Sequence, residues 1–417
     1  MFEILKTKKI NMSVQLLVIV LTFPFAITKA NESLFENNIE IINNQLKTQS
    51  ANYEKSIIRS LFLPELSVNT GYGSEYTNDK AETDRGPYLF LSGKINLYHG
   101  GQDVNKATIN NTLITKLNLE NEKTKRKIQI DSFKLLAELN LLNNDNLLIT
   151  DEIKNNEQQL KMAKKKVDAG LTTSADLLDF QIKNETLMNE LSSNQYKITD
   201  IEKELIAMFG NKIGLNQIKN EIQTLQNPEL DKIDIQTLPE MQALHQELLN
   251  TKLEISNIHS EYLPTIDLEG KYGNITPTQN LFDNKTEHQI ALNLTIPIFT
   301  GLTTASKLSQ SILNSTRAEH ELRQLEINLE KKIDSDKKKI NLNGKILSTL
   351  EKSLEKATKY KELILFEYKK GIKNSSDVIN ASDKQFELTR KINELKTENS
   401  QLLFTYNTNF KKNQDKL

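Results

Sequence analysis

Apolar positions along the chain follow two periods in turn. From about Ser33 to Arg59, Leu34, Ile39, Ile42 and Leu46 recur among Asn, Gln and Lys at helical spacing. Leu63-Pro64 ends that run, because proline disfavours helix in the residue before it. The period then becomes two. Leu66, Val68, Thr70 and Tyr72 alternate with Glu65, Ser67, Asn69 and Gly71, and a polar stretch from Gly73 to Arg85 predicts a loop. Leu89, Leu91, Gly93, Ile95 and Leu97 alternate in turn with Tyr88, Phe90, Ser92, Lys94 and Asn96. Two strands of about ten residues joined by a polar loop have the dimensions of a transmembrane β-hairpin. After Gly100-Gly101, no proline or glycine interrupts Gln102 to Asp168. A helix of that length reaches about 100 Å and demands a coiled-coil or tubular setting.

The run stops at Ala169-Gly170-Leu171-Thr172-Thr173-Ser174-Ala175-Asp176, where a glycine can supply a left-handed cap and Ser or Thr can cap the next helix. This predicts a helical hairpin tip. Beyond it Leu187, Leu191, Asn194, Ile198, Ile201, Leu205 and Met208 step by 4, 3, 4, 3, 4, 3, a heptad seam that ends at Gly210. Asn211 to Leu238 is polar and irregular and reads as a connector.

The whole pattern then recurs. Leu263-Pro264 and Tyr272-Gly273 repeat Leu63-Pro64 and Tyr72-Gly73, and Ile266 to Tyr272 and Ile290 to Ile298 again alternate. A second long run, Thr303 to Lys370, is broken only by Gly344, and a second tip follows at Gly371-Ile372-Lys373-Asn374-Ser375-Ser376-Asp377. Gly170 and Gly371 stand 201 positions apart (371 − 170), and Asp176 and Asp377 each lie six residues past their glycine. Leu388, Ile392, Leu395, Asn399, Leu402 and Tyr406 repeat the seam. Several landmarks at one offset mark a duplicated chain. The division expected is a first repeat over 31–210, a connector over 211–238, a second repeat over 239–410 and a tail over 411–417.

Composition narrows the class. Aromatics are 6% of 417 residues, Trp and Cys are absent, and 26% of residues are charged, which suits long amphipathic helices better than a large compact core. A formal net charge of −1 gives no global pointer to nucleic acid. Lacking cysteine, the chain has no disulfide, thiolate nucleophile, thiolate metal site or lipid-modified N-terminal cysteine. At the N-terminus, Lys6, Lys8 and Lys9 precede a largely apolar Val14–Ile27, and Thr28-Lys29-Ala30 places small residues before a cleavage point. Residues 1–30 therefore read as a cleaved export signal, the apolar run being shorter than the roughly 20 residues of a membrane-spanning helix. The alternative is a retained anchor.

With an export signal followed twice by helix, strand pair, long helix, Gly-Leu or Gly-Ile tip and half-length helix, the chain resembles the TolC family of outer-membrane channels. The strings that carry the resemblance are GLTTSADLL and GIKNSSDVI at the tips, LPELSVNTGYG and LPTIDLEGKYG at the first strands, and LYHGG and PIFTG at the strand-to-helix joints. The resemblance implies a mainly α fold with a transmembrane β-barrel: a homotrimer whose chains each give four strands to one twelve-stranded barrel above a helical cylinder. It implies a place in the outer membrane of a Gram-negative bacterium, among its lipids and reaching into the periplasm. It further implies a passive duct for efflux or type I secretion, coupled through a periplasmic adaptor to an inner-membrane pump of the RND or ABC type. Physical reasoning meets it halfway: four strands cannot close a barrel, and an open edge in lipid strands backbone groups, so the chain must associate. The competing class is a non-channel, fibrous coiled-coil protein of the periplasm or cell surface, which has no need of apolar-faced strand pairs.

No enzymatic constellation is present, and no cofactor or metal is expected. His99, His245, His259, His288 and His320 are scattered, and none forms a ligand pair such as H-E-x-x-H. The candidate sites lie at the tips. Asp176 and Asp377 read either as carboxylates placed near helix N-termini or, as the resemblance implies, as lining of a periplasmic mouth held shut by polar contacts with Tyr368 and Lys373. In that reading Tyr368 and Lys373 tie to Asp176 across neighbouring hairpins. Asn380 departs from members carrying a further Asp there, and Lys373 cannot make the bidentate contact of an arginine. Gly170, Leu171, Gly371 and Ile372 are, by the same resemblance, the tips that meet the adaptor.

Overall fold

The computed structural model describes residues 37–75, 84–210, 233–277 and 286–410. The export signal, most of the connector and the C-terminal tail lie outside the described residues. In chain order the elements are α1 (Ile39–Ser60), β1 (Glu65–Glu75), β2 (Asp84–His99), α2 (Gln102–Asp168), α3 (Ser174–Phe209), α4 (Pro239–His259), β3 (Thr265–Asn274), β4 (Glu287–Thr295), α5 (Thr303–Lys369) and α6 (Ser375–Phe410). The fold is mainly helical and duplicated. Helices α2 and α5 have 67 residues each, α3 and α6 have 36 each, and every bound of the second pair lies 201 beyond the first.

Each half is assembled in the same way. Asn38 caps α1 by accepting from the Glu40 amide and donates its own amide to the Met208 carbonyl at the end of α3, 2.8 Å in both cases. Helix α1 thus carries on the line of α3 alongside α2. Ile41, Ile128, Leu136, Leu139, Ile201, Leu205 and Phe209 pack where the three meet. In the second half Leu238, Met241, Leu329, Tyr406 and Phe410 do the same for α4, α5 and α6. The heptad seam of α3 faces inward, with Leu187, Asn194, Ile198, Ile201 and Leu205 all buried. No helix of the described residues is long and apolar enough to cross a membrane.

The strands form one antiparallel sheet in the order β1-β2-β3-β4. Its register aligns Leu66, Gly93, Gly270 and Ile290 in one row and Ile95, Leu268 and Leu292 in another. Directly opposed residues share a face, so the period-two pattern gathers Val68, Leu91, Tyr272 and Leu294 onto an apolar face. Val68, Tyr272, Leu292 and Leu294 are all exposed in the single chain. The other face is polar and internally paired. The Ser67 and Ser92 hydroxyls are 2.7 Å apart, Asn69 donates to Ser92, and Lys94 lies 3.3 Å from Asp267.

Two strand boundaries differ from the sequence expectation. The two ends of Gly73 to Arg85, expected as loop, belong to the ladder: Gly73 pairs with Gly86 and Tyr72 with Pro87, so β1 runs to Glu75 and β2 starts at Asp84, with 76–83 outside the described residues. Backbone pairing does not require apolar side chains. The fourth strand stops at Thr295 rather than reaching Ile298. Pro297 offers no N–H to a ladder, and among the described residues no strand lies on that side of β4.

Both strand-to-helix joints turn through left-handed backbone. Gly100 and Gly101 open α2 at φ 60° and 81°, and Gly301 and Leu302 open α5 at 62° and 67°. A Cβ on Gly100 would sit 2.5 Å from the Ser260 carbonyl oxygen, so the close crossing of the β3 entry requires glycine there. Leu302 is the one non-glycine residue at positive φ among the described residues.

Neighbour relations order the elements side by side. Near the sheet the helices run α1, α2, α4, α5, and nearer the tips α3, α2, α6, α5. One margin of this row is β1, α1 and α3, and the other is β4 and α5. Among the described residues no further element packs on either margin, and Ile182 and Tyr196 on α3 and Leu313 and Phe366 on α5 stand exposed.

Candidate functional site at the hairpin tips

The tips end α2 and α5 with the same backbone motif. The Leu171 amide donates to the Lys166 carbonyl and the Gly170 amide to Val167, at 2.8 and 2.9 Å. The Ile372 amide donates to Glu367 and the Gly371 amide to Tyr368, both at 3.0 Å. These are the 6→1 and 5→2 bonds of a Schellman cap, which needs a left-handed residue at its centre. Gly170 and Gly371 supply it at φ 71° and 80°, with open space where a Cβ would be. The caps push Leu171 and Ile372 out to 77% and 67% exposure, so the extreme end of each hairpin is apolar and unobstructed.

The two carboxylates behave differently. Asp176 accepts from the Thr172 hydroxyl within its own turn and, at 2.7 Å, from the Ser375 hydroxyl of the second hairpin. Ser375 is buried, and its single hydroxyl proton is shared with Asp179, whose carboxylate oxygen also lies 2.7 Å away. Burial opposes the charge on Asp176, but the bonds from Thr172 and Ser375 and the nearby Lys166 ammonium outweigh it and hold the carboxyl below its usual range. Asp377 is satisfied locally. It exchanges bonds with Asn374, whose side chain accepts from the Asp377 amide at 2.9 Å, and lies 3.6 Å from Lys373 in its own turn.

Within the single chain each of these residues has its own set of neighbours. Lys373 pairs with Asp377 rather than with Asp176. Tyr368 lies close to Asp176 but does not bond to it: the side chain is buried beside Phe180, Val378 and Ala381, and its hydroxyl finds no partner among the described residues. Burial, with Asp176 nearby, pushes the phenol up to about 12. The Lys166 ammonium covers the Tyr368 ring at 3.8 Å and donates to the Tyr368 carbonyl. Within the chain, the side chain that ties Asp176 to the other hairpin is Ser375. The sequence signal was there, because Ser375 and Ser174 are matched first residues of α6 and α3, but a serine there reads equally well as a cap.

Above the tip, further polar ties join the hairpins that no motif announces. Lys183 pairs with Asp383. Buried Glu152 meets Lys361 at 3.2 Å and accepts from Ser382. Arg390 of α6 reaches Asp145 on α2 at 2.7 Å and Glu190 on α3, while Asn194 donates to the same Asp145. The first hairpin is therefore fastened to the second along its length. Among the described residues no cluster of His, Asp and Glu is grouped to hold a metal ion.

Residues 31–211 match the sequence model of the outer membrane efflux protein family. No protein of curated function matches the sequence. Solved structures share the fold over nearly the whole chain. CusC, whose structures concern folding and transmembrane channel formation, is 14% identical, with a TM-score of 0.78 over 90% of this chain and 89% of its own. The outer-membrane protein VceC of Vibrio cholerae is 13% identical, with a TM-score of 0.76 over 90% and 94%. The outer-membrane channel CmeC of Campylobacter jejuni is 15% identical, with a TM-score of 0.74 over 92% and 85%. Residues 31–211 thus carry the signature of the outer membrane efflux protein family, and the chain as a whole has the fold of these outer-membrane channels.

Proposed function

We propose that the protein is a passive exit duct of the outer membrane, built as a homotrimer, and that it completes a tripartite efflux or type I secretion machine. A periplasmic adaptor would dock on Gly170, Leu171, Gly371 and Ile372 and couple the duct to an inner-membrane pump that supplies the energy. The observation that carries the reading is the sheet. One face is an apolar belt, the other a paired polar surface, and both edge strands lack partners. A sheet of that kind is stable in lipid only when its edges are closed by further strands, and three copies would give twelve strands around a polar lumen. At the far end, Asp176 and Asp377 would line a narrow acidic mouth.

The test is a planar-bilayer recording of purified protein, with reversal potentials taken in a salt gradient. Wild-type protein should give discrete cation-preferring channels, since rings of carboxylates select cations. Asp176→Ala with Asp377→Ala should weaken that preference. An unchanged reversal potential in the double variant would make both carboxylates helix caps only, and absence of channels from wild-type protein would remove the duct.

A further inference from the structure

Just above the tips, the four helices α2, α3, α5 and α6 do not close on one another completely. They leave a cavity of about 260 Å³ between them. At about 30 Å³ per water that is room for roughly nine waters. The half nearer the tips is apolar, with Phe180, Leu365, Val378 and Ile379 on its wall. The upper half is polar, and most of its polar groups are already answered. Glu152 is taken by Lys361 at 3.2 Å and by the Ser382 hydroxyl. Lys183 pairs with Asp383 at 2.5 Å, and the Asn156 amide donates to the Phe180 carbonyl at 2.7 Å.

Two groups on the lining are left over. The Gln159 side-chain oxygen is sealed from solvent and receives no donor among the described residues, although buried acceptors are normally met. The Lys369 ammonium, in the exposed last turn of α5, has no carboxylate partner among the described residues. These two groups stand at opposite ends of the apolar wall. The tips lie at one level, since Ser375 of the second bonds to Asp176 of the first. On the offset of 201 residues between the hairpins, Lys369 is level with Asp168, and Asp168 is nine positions below Gln159 (168 − 159). Nine positions are about 13 Å of helix, and the flexible Lys369 stem shortens the gap to the span of one ring substituted at both ends.

We infer that this cavity is a binding site for a small phenolic carboxylate. The hydroxyl donates to Gln159, the ring lies on Phe180, Leu365, Val378 and Ile379, and the carboxylate meets Lys369 at the opening. A mostly apolar pocket with a few convergent polar groups, set between packed helices, is a common form of small-molecule site. The occupant touches both hairpins at once, so its binding favours their packed arrangement. In the duct proposed above that makes it a clamp immediately above the mouth; the clamp rests on that reading, and the site does not.

Calorimetric titration of purified full-length protein in detergent tests the site without reference to channel activity. 4-Hydroxybenzoate should bind once per chain. Benzoate and 4-hydroxybenzyl alcohol each lack one of the two polar contacts and should bind about tenfold more weakly. Gln159→Leu should remove the advantage of 4-hydroxybenzoate over benzoate, and Lys369→Gln its advantage over the alcohol. Ile379→Trp, which fills the apolar half, should abolish binding of all three. Equal affinities for the three probes, or unchanged selectivity in both polar variants, would overturn the assignment. So would an absence of binding by protein with the wild-type helical signal, because the cavity would then hold only water. In planar bilayers, saturating 4-hydroxybenzoate should lower the open probability of wild-type protein and leave Ile379→Trp unaffected. Selective binding without that effect would overturn the clamp, and selective binding by protein that forms no channels would uphold the site and remove the duct.

Discussion

The two hairpin tips share a Schellman cap, a protruding aliphatic residue and a carboxylate six residues past the glycine, yet Asp176 joins two hairpins while Asp377 serves only its own turn. Their local sequences account for only part of the contrast, since Lys373 and Asn374, which hold Asp377, stand where the first tip has Thr172 and Thr173. What differs is the neighbour: the first tip has the second hairpin against it, and the second tip faces a free margin. In the assembly proposed above, a matched residue that lacks a tie to another hairpin marks where another copy would sit. The same reading applies to β4, to α5 and to the exposed flank of α3.

That contrast can be broken most strongly where the in-chain interface is most polar. Arg390→Ala leaves Asp145 and Glu190 facing each other in a partly buried site, and removing one partner from such a network costs about 3 kcal/mol. The counterpart Asn189→Ala should cost less than about 0.5 kcal/mol, as exposed substitutions do. Denaturant titration of the helical signal in detergent compares them, and equal losses would mean that the two flanks are not distinct.

A smaller effect should treat the two tips alike. Gly170→Ala and Gly371→Ala each place a Cβ on left-handed backbone with open space around it, costing roughly 1 kcal/mol at either site. Leu302→Gly at the α5 joint should recover a similar amount, since Leu302 already bears that strain. Thermal melts of the three variants check both signs, and a clear difference between the tip glycines would show that one of them already bears a contact.

How far the sequence could be read follows from what each feature depends on. The long helices, the strand pairs and the tips are written in local periodicity and in isolated glycines and prolines, so they are legible one segment at a time. The partner of Asp176 is not, because Ser375 lies 199 residues away and a hydroxyl at a helix start has an adequate local explanation. Arg390 and Asp145 are separated by 245 residues and belong to no motif, so only the packing brings them together. Tyr368 is only partly legible for a related reason. A tyrosine beside a polar tip suggests a hydrogen-bonded hydroxyl, whereas here the ring is core and the hydroxyl is its cost.

The titration of the first tip sharpens the comparison at still smaller scale. The Asp176 carboxyl is depressed, so its contribution is complete above the unfolded value near 3.9 and is lost only as pH falls through the folded value. The tie should therefore hold unchanged from pH 5 to 8. The Tyr368 phenol is raised to about 12, so its contribution is intact below pH about 10 and fades as pH rises through 12. Limited trypsin cleavage at Lys369 and Lys370 against pH should stay flat between 5 and 8 and increase at the alkaline end. Tyr368→Phe, which deletes an unpartnered buried hydroxyl, should leave stability the same or raise it by up to about 1 kcal/mol. Lys373→Ala removes an exposed pair within one helical turn and should change stability by less than about 0.5 kcal/mol.

The account stands or falls on whether the open margins are closed by further copies of the same chain. Native mass spectrometry of protein extracted from outer membranes in mild detergent measures this directly, with the strand signal followed by circular dichroism on the same sample. The predicted result is a single species with the mass of three chains. A monodisperse single chain that retains its strand signal would contradict it.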